Sequence, residues 1–296
     1  MQDEIPDYDS QNFLINEGHE DLLERKIIAR NIGEGEIGVD LGGGYGRLTE
    51  LMIEHFKTVI LMDYSVKNLY RAKKALQGKN VIFVRCDIRD PPLEAGSVDG
   101  AISIRVMHHY SKLEFITNLC TKLNGNGTLI FNVNNSRSPL FILNIMKSLI
   151  FEGKRINFLV KGLQKICYDS KGGCIYFIDY RDVLSFLQND SYTYRTIGAG
   201  ILHNGFIERN SSLIDVERLT EAELSGIFAG LPAILFPDVF FIVKSKRQDN
   251  RKKNLDPFSA IKCKRCSSHL SREGKAVVCS GCGEQYGNAD DLLDLL

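Results

Sequence analysis

The sequence of 296 residues predicts a doubly wound α/β fold with a mostly parallel sheet, helical insertions and a small C-terminal cysteine-rich unit. Short apolar runs alternate with helical segments through residues 35–135, and an acidic residue stands at or near the end of the first three runs. Two Cys-x2-Cys pairs occur near the C-terminus. Apolar strands separated by helices of about 10–15 residues are typical of a parallel sheet with right-handed crossovers.

The elements of the first half follow in order from the hydrophobic periodicity. Apolar runs predict strands at 37–41, 59–62, 81–84, 101–104 and 128–133. Apolar residues at helical spacing predict helices at 46–56, 65–77 and 111–123. The strands are apolar on both faces, as expected for strands that helices cover on both sides.

The pattern changes after residue 135. Residues 136–178 form a long insertion with helical apolar spacing, and a helix is predicted at 179–189. Two late strands are predicted at 192–197 and 239–244, with a helical stretch at 215–230 between them.

The domain organisation follows from a shift in composition. A large domain is expected over residues 1–246, with insertions at 136–178 and 198–238 on the edge of the sheet where ligands bind. The polar stretch 247–258 has almost no apolar residues and is interpreted as a basic linker, which leaves a small unit at 259–296.

The charge is balanced overall but uneven along the chain. Lysine plus arginine and aspartate plus glutamate both number 37, so the formal net charge is zero and gives no general sign of nucleic-acid binding. Residues 1–24 contain eight acidic residues and no lysine or arginine, whereas 244–275 contain eleven basic residues and three acidic ones. These segments are either a solvated tail and linker, or include a basic arm for RNA or another acidic partner.

The sequence shows no sign of membrane insertion or export. No segment reaches the roughly 18 uninterrupted apolar residues of a membrane span. The first residues, MQDEIPDYDS, are acidic and lack the basic and apolar regions of a signal peptide. A cytoplasmic location is therefore expected.

A glycine-rich loop, VDLGGGYG at 39–46, follows the first predicted strand and leads into a helix, as a nucleotide-type site requires. Its glycines allow positive φ angles and close approach of a ligand, although a purely structural turn is the alternative. Asp63 ends the second strand, 23 residues after Asp40, at a spacing that suits a ribose diol. Asp87 ends the third strand, where its carboxylate can accept from an adenine amine. The glycine spacing departs from the G-x-G-x-x-G of dinucleotide sites.

Five segments together resemble the class I S-adenosylmethionine-dependent methyltransferases, and within them the ubiquinone/menaquinone-type subgroup. They are D-x-G-x-G-x-G at 40–46, an acid at 63, Cys-Asp at 86–87, VDGAISIRVMHHY at 98–110 and LNGNGTLIF at 123–131. The resemblance implies a seven-stranded Rossmann-like sheet and S-adenosylmethionine as the cofactor.

The resemblance also implies the cofactor-binding residues, which are Asp40, Gly42, Gly44, Gly46, Asp63, Tyr64, Asp87, Ile88 and Arg105. Gly42 and Gly44 are expected to face the methionine part, and Asp63 to hold the ribose hydroxyls. Asp87 and Ile88 are expected to contact the adenine, with Tyr64 packed beside it. Asp40 would orient the loop.

The candidate catalytic residues are His108, His109 and Arg105, at the end of the fourth strand. A sulfonium methyl group is already electrophilic, so a general base is needed only for a poor nucleophile. The alternative is that either histidine packs or bonds to the backbone. The expected acceptor is a small or lipid-like molecule, and the alternative is an RNA base held by the basic tail. A non-catalytic module with a degenerate cofactor site is disfavoured, because the loop and its acids are intact.

Cys263, Cys266, Cys279 and Cys282 have the spacing of a tetrahedral zinc site. Four protein ligands leave no open position, so the zinc would be structural, and redox dithiols are the alternative. The tail resembles a small zinc-ribbon protein whose free-standing relatives activate methyltransferases that act on tRNA, rRNA and a translation factor. The oligomeric state stays open.

Overall fold

The computed structural model describes residues 18–110, 112–140, 143, 165–167, 174–188, 190–202, 214–225, 230–247 and 256–296. Six α-helices occur in this part of the chain: α1 His19–Ala29, α2 Thr49–His55, α3 Val66–Ala75, α4 Phe115–Lys122, α5 Tyr180–Leu187 and α6 Val216–Leu224. None of these helices combines the length and the apolar character that crossing a membrane requires.

The same residues contain thirteen strands. They are β1 Gly35–Leu41, β2 Phe56–Asp63, β3 Val81–Arg85, β4 Val98–Ser103, β5 Leu123–Asn134, β6 Lys165–Cys167, β7 Cys174–Tyr176, β8 Tyr192–Ala199, β9 Asp238–Ser245, β10 Leu270–Glu273, β11 Ala276–Cys279, β12 Gln285–Asn288 and β13 Leu292–Asp294.

The central sheet has eight strands in the order β13-β3-β2-β1-β4-β5-β9-β8. Strands β13 to β5 are mutually parallel, and β9 runs antiparallel to both β5 and β8. The expected doubly wound α/β fold of the methyltransferase type is therefore confirmed. Seven strands form the expected sheet, and the eighth comes from the C-terminal end of the chain.

The centre of the sheet is buried on both faces, as its continuous apolar strands require. Ile60, Leu61 and Met62 of β2 are fully buried, although successive side chains point to opposite faces. Gly38 of β1 and Gly100 of β4 are register partners. A Cβ atom at either glycine would meet the Phe56 ring at 2.5 Å or less, so the two glycines make room for this ring.

The predicted strands and helices correspond to observed elements, with shifts of a few residues at their ends. Helix α1 was not expected, and residues 18–24 do not belong to a solvated tail, because Glu24 is only 2% exposed. Most of the insertion at 136–178 lies outside the described residues, including most of the stretch 140–150 on which the expected helical spacing rests. Its described later part contains β6 and β7, which form a short antiparallel pair. Residues 248–255 of the predicted linker also lie outside the described residues.

The C-terminal cysteine unit, defined here as residues 256–296, continues the central sheet. Strand β13 pairs in parallel with β3, and the Leu295 N–H donates to the Arg85 carbonyl at 2.9 Å. Leu293 is fully buried, and Ile261 forms a bridge with Leu93 in the loop after β3. The side chains of Phe258 and Ile261 belong to the same apolar cluster as the central strands. The unit therefore covers the β3 edge of the sheet.

We expect Leu293→Ala to destabilise the whole protein by about 2–4 kcal/mol, because the truncation leaves a cavity in the shared core. Chemical denaturation followed by far-UV circular dichroism should show one transition at lower denaturant. Asp290→Ala, at an exposed position in the same tail, should leave the midpoint nearly unchanged. An unchanged midpoint for Leu293→Ala would mean that the tail contributes nothing to the stability of the sheet.

Candidate active site and cysteine cluster

The glycine loop after β1 is hydrogen-bonded to the end of β2. Gly42 and Gly43 both donate their N–H groups to the Met62 carbonyl, at 2.7 and 3.2 Å. Gly42 and Gly44 have φ angles of +74° and +55°, in the left-handed region that favours glycine. A Cβ atom at Gly42 would lie 2.6 Å from the side chain of Val106, whereas no atom lies within 4 Å of the Cβ position at Gly44. Gly44 therefore borders open space.

Asp63, at the end of β2, is held by two backbone donors. Its Oδ2 accepts from the Gly44 N–H at 2.8 Å, and its Oδ1 accepts from the Ser65 N–H at 2.7 Å. Ser65 in turn caps α3, because its Oγ accepts from the Asn68 N–H at 3.1 Å. One carboxylate thus joins the glycine loop to the start of α3.

Asp40 is buried at the end of β1 with 3% of its surface exposed. The Thr49 hydroxyl donates to its Oδ2 at 2.7 Å, which ties α2 to the loop. Burial raises the pKa of Asp40 to about 6, while the Thr49 hydrogen bond and the Arg47 charge oppose the rise. This carboxylate is therefore costly to keep ionised inside the fold.

These elements surround a cavity of about 340 Å³ at the carboxyl edge of the sheet. Nine of the predicted site residues line it: Asp40, Gly42, Gly44, Asp63, Tyr64, Ile88, Arg105, His108 and His109. The sequence analysis did not single out eight further lining residues, which are Gly43, Tyr45, Arg47, Leu48, Asn68, Ile104, Val106 and Tyr110. Tyr45, Arg47 and Leu48 flank Gly46, so their nearness to the loop was the available signal.

Two predicted residues do not line the cavity. Gly46 has φ +89°, and its Cβ position lies 2.9 Å from Leu76, so it serves close packing against α3. The Asp87 carboxylate forms an ion pair with the Arg89 guanidinium through its Nε and Nη2 atoms. Of the two adjacent residues Asp87 and Ile88, only Ile88 lines the cavity.

Asn68 provides a test of whether the cavity fits a polar ligand. Its side-chain Oδ1 atom is buried and has no hydrogen-bond partner in the described residues. Buried acceptors of this kind are rare without a partner. A hydroxyl or amine of a bound molecule can supply the missing donor.

The two histidines lie in a 3₁₀ turn, Met107–His109, that follows β4. Their ring centroids are 4.1 Å apart. Burial lowers the pKa of His108 to about 3, helped by the His109 and Arg105 charges, and burial lowers the pKa of His109 to about 4. Both imidazoles are therefore neutral at neutral pH.

Arg105 lies two residues after β4 and has an unusual backbone conformation, φ +60°, which is strained for a residue with a Cβ atom. Its N–H donates to Asn132 Oδ1 at 2.8 Å, which holds this conformation. Its guanidinium contacts Glu24 of α1, with an Nε to Oε1 distance of 2.7 Å. Helix α1 was missed in the sequence, although its buried residues Leu23, Ile27 and Ile28 have helical spacing.

The four cysteines near the C-terminus converge. Their Sγ atoms all lie within 4.8 Å of one another, with 3.7 Å between Cys263 and Cys282 and 3.4 Å between Cys266 and Cys279. A tetrahedron with Zn–S bonds of about 2.3 Å has S···S edges of about 3.8 Å, so the cluster has the size of a zinc site. The Tyr286 hydroxyl lies 3.1 Å from Cys263 Sγ as a supporting hydrogen-bond partner.

Comparison with known proteins agrees with this geometry. Residues 39–131, from β1 to β5, match a family model described as a methyltransferase domain. This match indicates that the protein is an enzyme. A search of the curated proteins finds no match.

Solved structures share the fold. An S-adenosylmethionine-dependent methyltransferase structure from Listeria monocytogenes superposes with a TM-score of 0.51 at 14% identity, covering 77% of this chain and 98% of that chain. A chain in the Haloferax volcanii complex of the Trm112 methyltransferase activator with a methyltransferase gives 0.50 at 15% identity, with 76% and 89% covered. Geranyl diphosphate C-methyltransferase from Streptomyces coelicolor gives 0.50 at 14% identity, with 75% and 77% covered.

We expect Gly44→Ala to weaken the binding of S-adenosylmethionine at least tenfold, because the added methyl group enters the open space at the loop. Calorimetric titration measures the change. Gly78→Ala is the matched control, since Gly78 also has a positive φ and open space at its Cβ position but lies outside the cavity. Both variants should lose about 1 kcal/mol of stability from left-handed strain. Equal binding by the two variants would contradict a cofactor role for Gly44.

Proposed function

We propose that the protein transfers a methyl group from S-adenosylmethionine to a small or lipid-like acceptor, and that the cavity beside the glycine loop holds both molecules. The observation that carries the proposal is the arrangement of the cavity. The loop and Asp63 lie on one side of it, and the neutral histidines after β4 lie on another.

The residues present fit S-adenosylmethionine. The glycine backbone at 42–44 accommodates the amino-acid part, the Asp63 carboxylate has the position for the ribose hydroxyls, and Asn68 Oδ1 lacks a donor. Arg85 fixes the position of Tyr64, which lines the cavity beside Asp63. The Arg85 Nε donates to the Tyr64 carbonyl at 3.2 Å, and the Arg85 guanidinium lies 5.7 Å from the Tyr64 ring centroid. When bound, the cofactor supplies an electrophilic methyl group.

Positioning and desolvation carry the catalytic burden in this proposal. With pKa values near 3 and 4, His108 and His109 hold a proton only weakly at neutral pH. Each neutral ring can accept a hydrogen bond from the acceptor and orient it. Such a site suits an acceptor that is nucleophilic without prior loss of a proton to a strong base.

Apolar surface near the carboxyl edge supports a small or lipid-like acceptor. Ile104, Val106 and Leu48 line the cavity. Beyond β5, the two predicted insertions meet, because the Ser138 hydroxyl of the first donates to the Leu235 carbonyl of the second at 3.0 Å. Ile234, next to Leu235, has an exposed apolar side chain.

The RNA alternative rests on the basic stretch 244–275. Part of that charge is paired within the described residues, since Lys262 contacts Glu94 and Arg265 contacts Glu284, each at 3.1 Å. This pairing reduces the positive potential that a phosphate backbone would meet. The small-acceptor proposal is therefore favoured.

A labelling experiment separates the two acceptors. Full-length protein is incubated with methyl-labelled S-adenosylmethionine and, separately, with a lipid extract, a small-metabolite extract and total RNA. We expect label in the lipid or metabolite fraction. Label confined to RNA and released by nuclease would refute the small-acceptor proposal in favour of the RNA alternative.

We further propose that the four-cysteine cluster holds one structural zinc ion. The S···S distances support this, and four protein ligands leave no position for a substrate. A unit of this size has little core of its own, so the metal would stabilise it together with its packing on β3.

We expect Cys279→Ser to reduce the zinc content from about one ion per chain to nearly none, measured by plasma mass spectrometry, and to lower the melting temperature. Cys120→Ala is the control, because this buried thiol lies in α4 and outside the cluster. A Cys279→Ser protein that keeps its full zinc content would show that the four cysteines are not the ligand set.

A further inference from the structure

A buried carboxylate of α1 holds two arginines that line the cavity. Glu24 has 2% of its surface exposed. Its Oε1 accepts from Arg105 Nε and its Oε2 accepts from Arg47 Nη2, both at 2.7 Å. Arg105 follows β4 and Arg47 follows the glycine loop, so one side chain joins two walls of the cavity.

Other acids of the same helix complete this contact. Glu20 Oε2 lies 3.3 Å from Arg105 Nη2, and Asp21 accepts from Arg47 Nη1. Asp21 also pairs with Arg25 at 2.8 Å. Three arginines thus face three carboxylates from consecutive turns of α1, and their charges balance.

A fourth acid near Arg105 does not disturb the balance. Burial raises the pKa of Asp238, at the start of β9, to about 8, and the nearby charges of Glu20 and Glu24 raise it too. At neutral pH this carboxyl group is mainly protonated. Burial also raises the pKa of Glu24, but the Arg105 and Arg47 charges and the Arg105 hydrogen bond oppose that rise. The direct contacts of Glu24 with both guanidinium groups therefore make α1 the source of the compensating charge.

The charge balance between these arginines and carboxylates matters because the proposed ligand of the cavity is itself positively charged at its sulfur atom. S-adenosylmethionine carries a sulfonium, and its product S-adenosylhomocysteine carries a neutral thioether at the same position. Two uncompensated guanidinium groups in the cavity wall would repel the sulfonium and would leave the thioether almost unaffected. A cavity lined by arginines consequently needs fixed negative charge behind them.

We propose that Glu24, supported by Glu20, is a positioning residue that compensates Arg105 and Arg47 and so sets the preference of the cavity for the cationic cofactor over its neutral product. The inference rests on the proposed use of S-adenosylmethionine. Glu24 acts through the arginines and does not itself line the cavity.

The size of the effect follows from the charge that is removed. At an effective dielectric constant near 20, an uncompensated unit charge about 10 Å from another charge changes its binding affinity by roughly tenfold. Glu24→Gln keeps the shape of the side chain and removes its charge. The affinity for S-adenosylmethionine should therefore fall about tenfold more than the affinity for S-adenosylhomocysteine.

Calorimetric titration of the full-length protein with each ligand gives two dissociation constants. Their ratio is the constant for S-adenosylhomocysteine divided by the constant for S-adenosylmethionine, so that a lower ratio means a weaker preference for S-adenosylmethionine. Glu221→Gln is the matched control, since Glu221 pairs with Lys26 and Arg30 and is 43% exposed. It makes the same charge change in α6, where this helix contacts α1, and it should leave the ratio unchanged. The double variant Glu24→Gln with Arg105→Gln removes both charges and should restore the wild-type ratio.

The outcomes are distinct. A lowered ratio in Glu24→Gln that the double variant restores supports the inference. Equal weakening of both ligands in Glu24→Gln, or an equal shift in Glu221→Gln, overturns it and leaves the proposed function standing. A wild-type protein that binds neither ligand overturns the proposed function and this inference together.

If Glu24→Gln does not fold, the double variant decides, because it leaves no unpaired buried charge. An altered ratio in the double variant overturns the inference.

Discussion

The left-handed turn that leaves β1 is the constraint on which the rest of the site depends. Parallel strands bring their carboxyl ends to one edge, and β1 lies between β2 and β4. The chain must turn back there into α2 without filling the edge with side chains. Positive φ angles at Gly42 and Gly44 allow the turn, and the Met62 carbonyl and Asp63 carboxylate accept its N–H groups. The cavity is the space that this turn leaves open.

The second organising feature is the closure of the sheet at β3. An edge strand exposes unpaired N–H and C=O groups, and here β13 satisfies those of β3. The contact continues into the next loop, where the Glu94 N–H donates to the Ala260 carbonyl and the Lys262 N–H donates to the Pro92 carbonyl, both at 2.8 Å. Ile88 of this loop lines the cavity. The cysteine unit therefore supports one wall of the site, although its cysteines lie far along the sequence from the glycine loop.

Buried charge is the third feature. Arginine keeps its charge when buried, so it requires a partner of opposite charge. The acidic segment before residue 25 supplies that partner through α1, and the same helix meets α6 through Lys26, which contacts Glu221 at 2.6 Å. Glu20, Asp21 and Glu24, which resemble part of a solvated tail in the sequence, thus contact partly buried arginines.

The sequence by itself determined the local features of this protein. Short continuous apolar runs placed β1 to β5, the glycines and Asp63 marked the loop, and the two Cys-x2-Cys pairs marked the cluster, because each signal lies within a few residues of chain. Tertiary structure alone decided that Leu293 joins the β3 edge and that Glu24 meets Arg105. It also decided that Asn68 of α3 faces the cavity. Contacts between distant residues depend on how every element packs, and no local pattern encodes that packing.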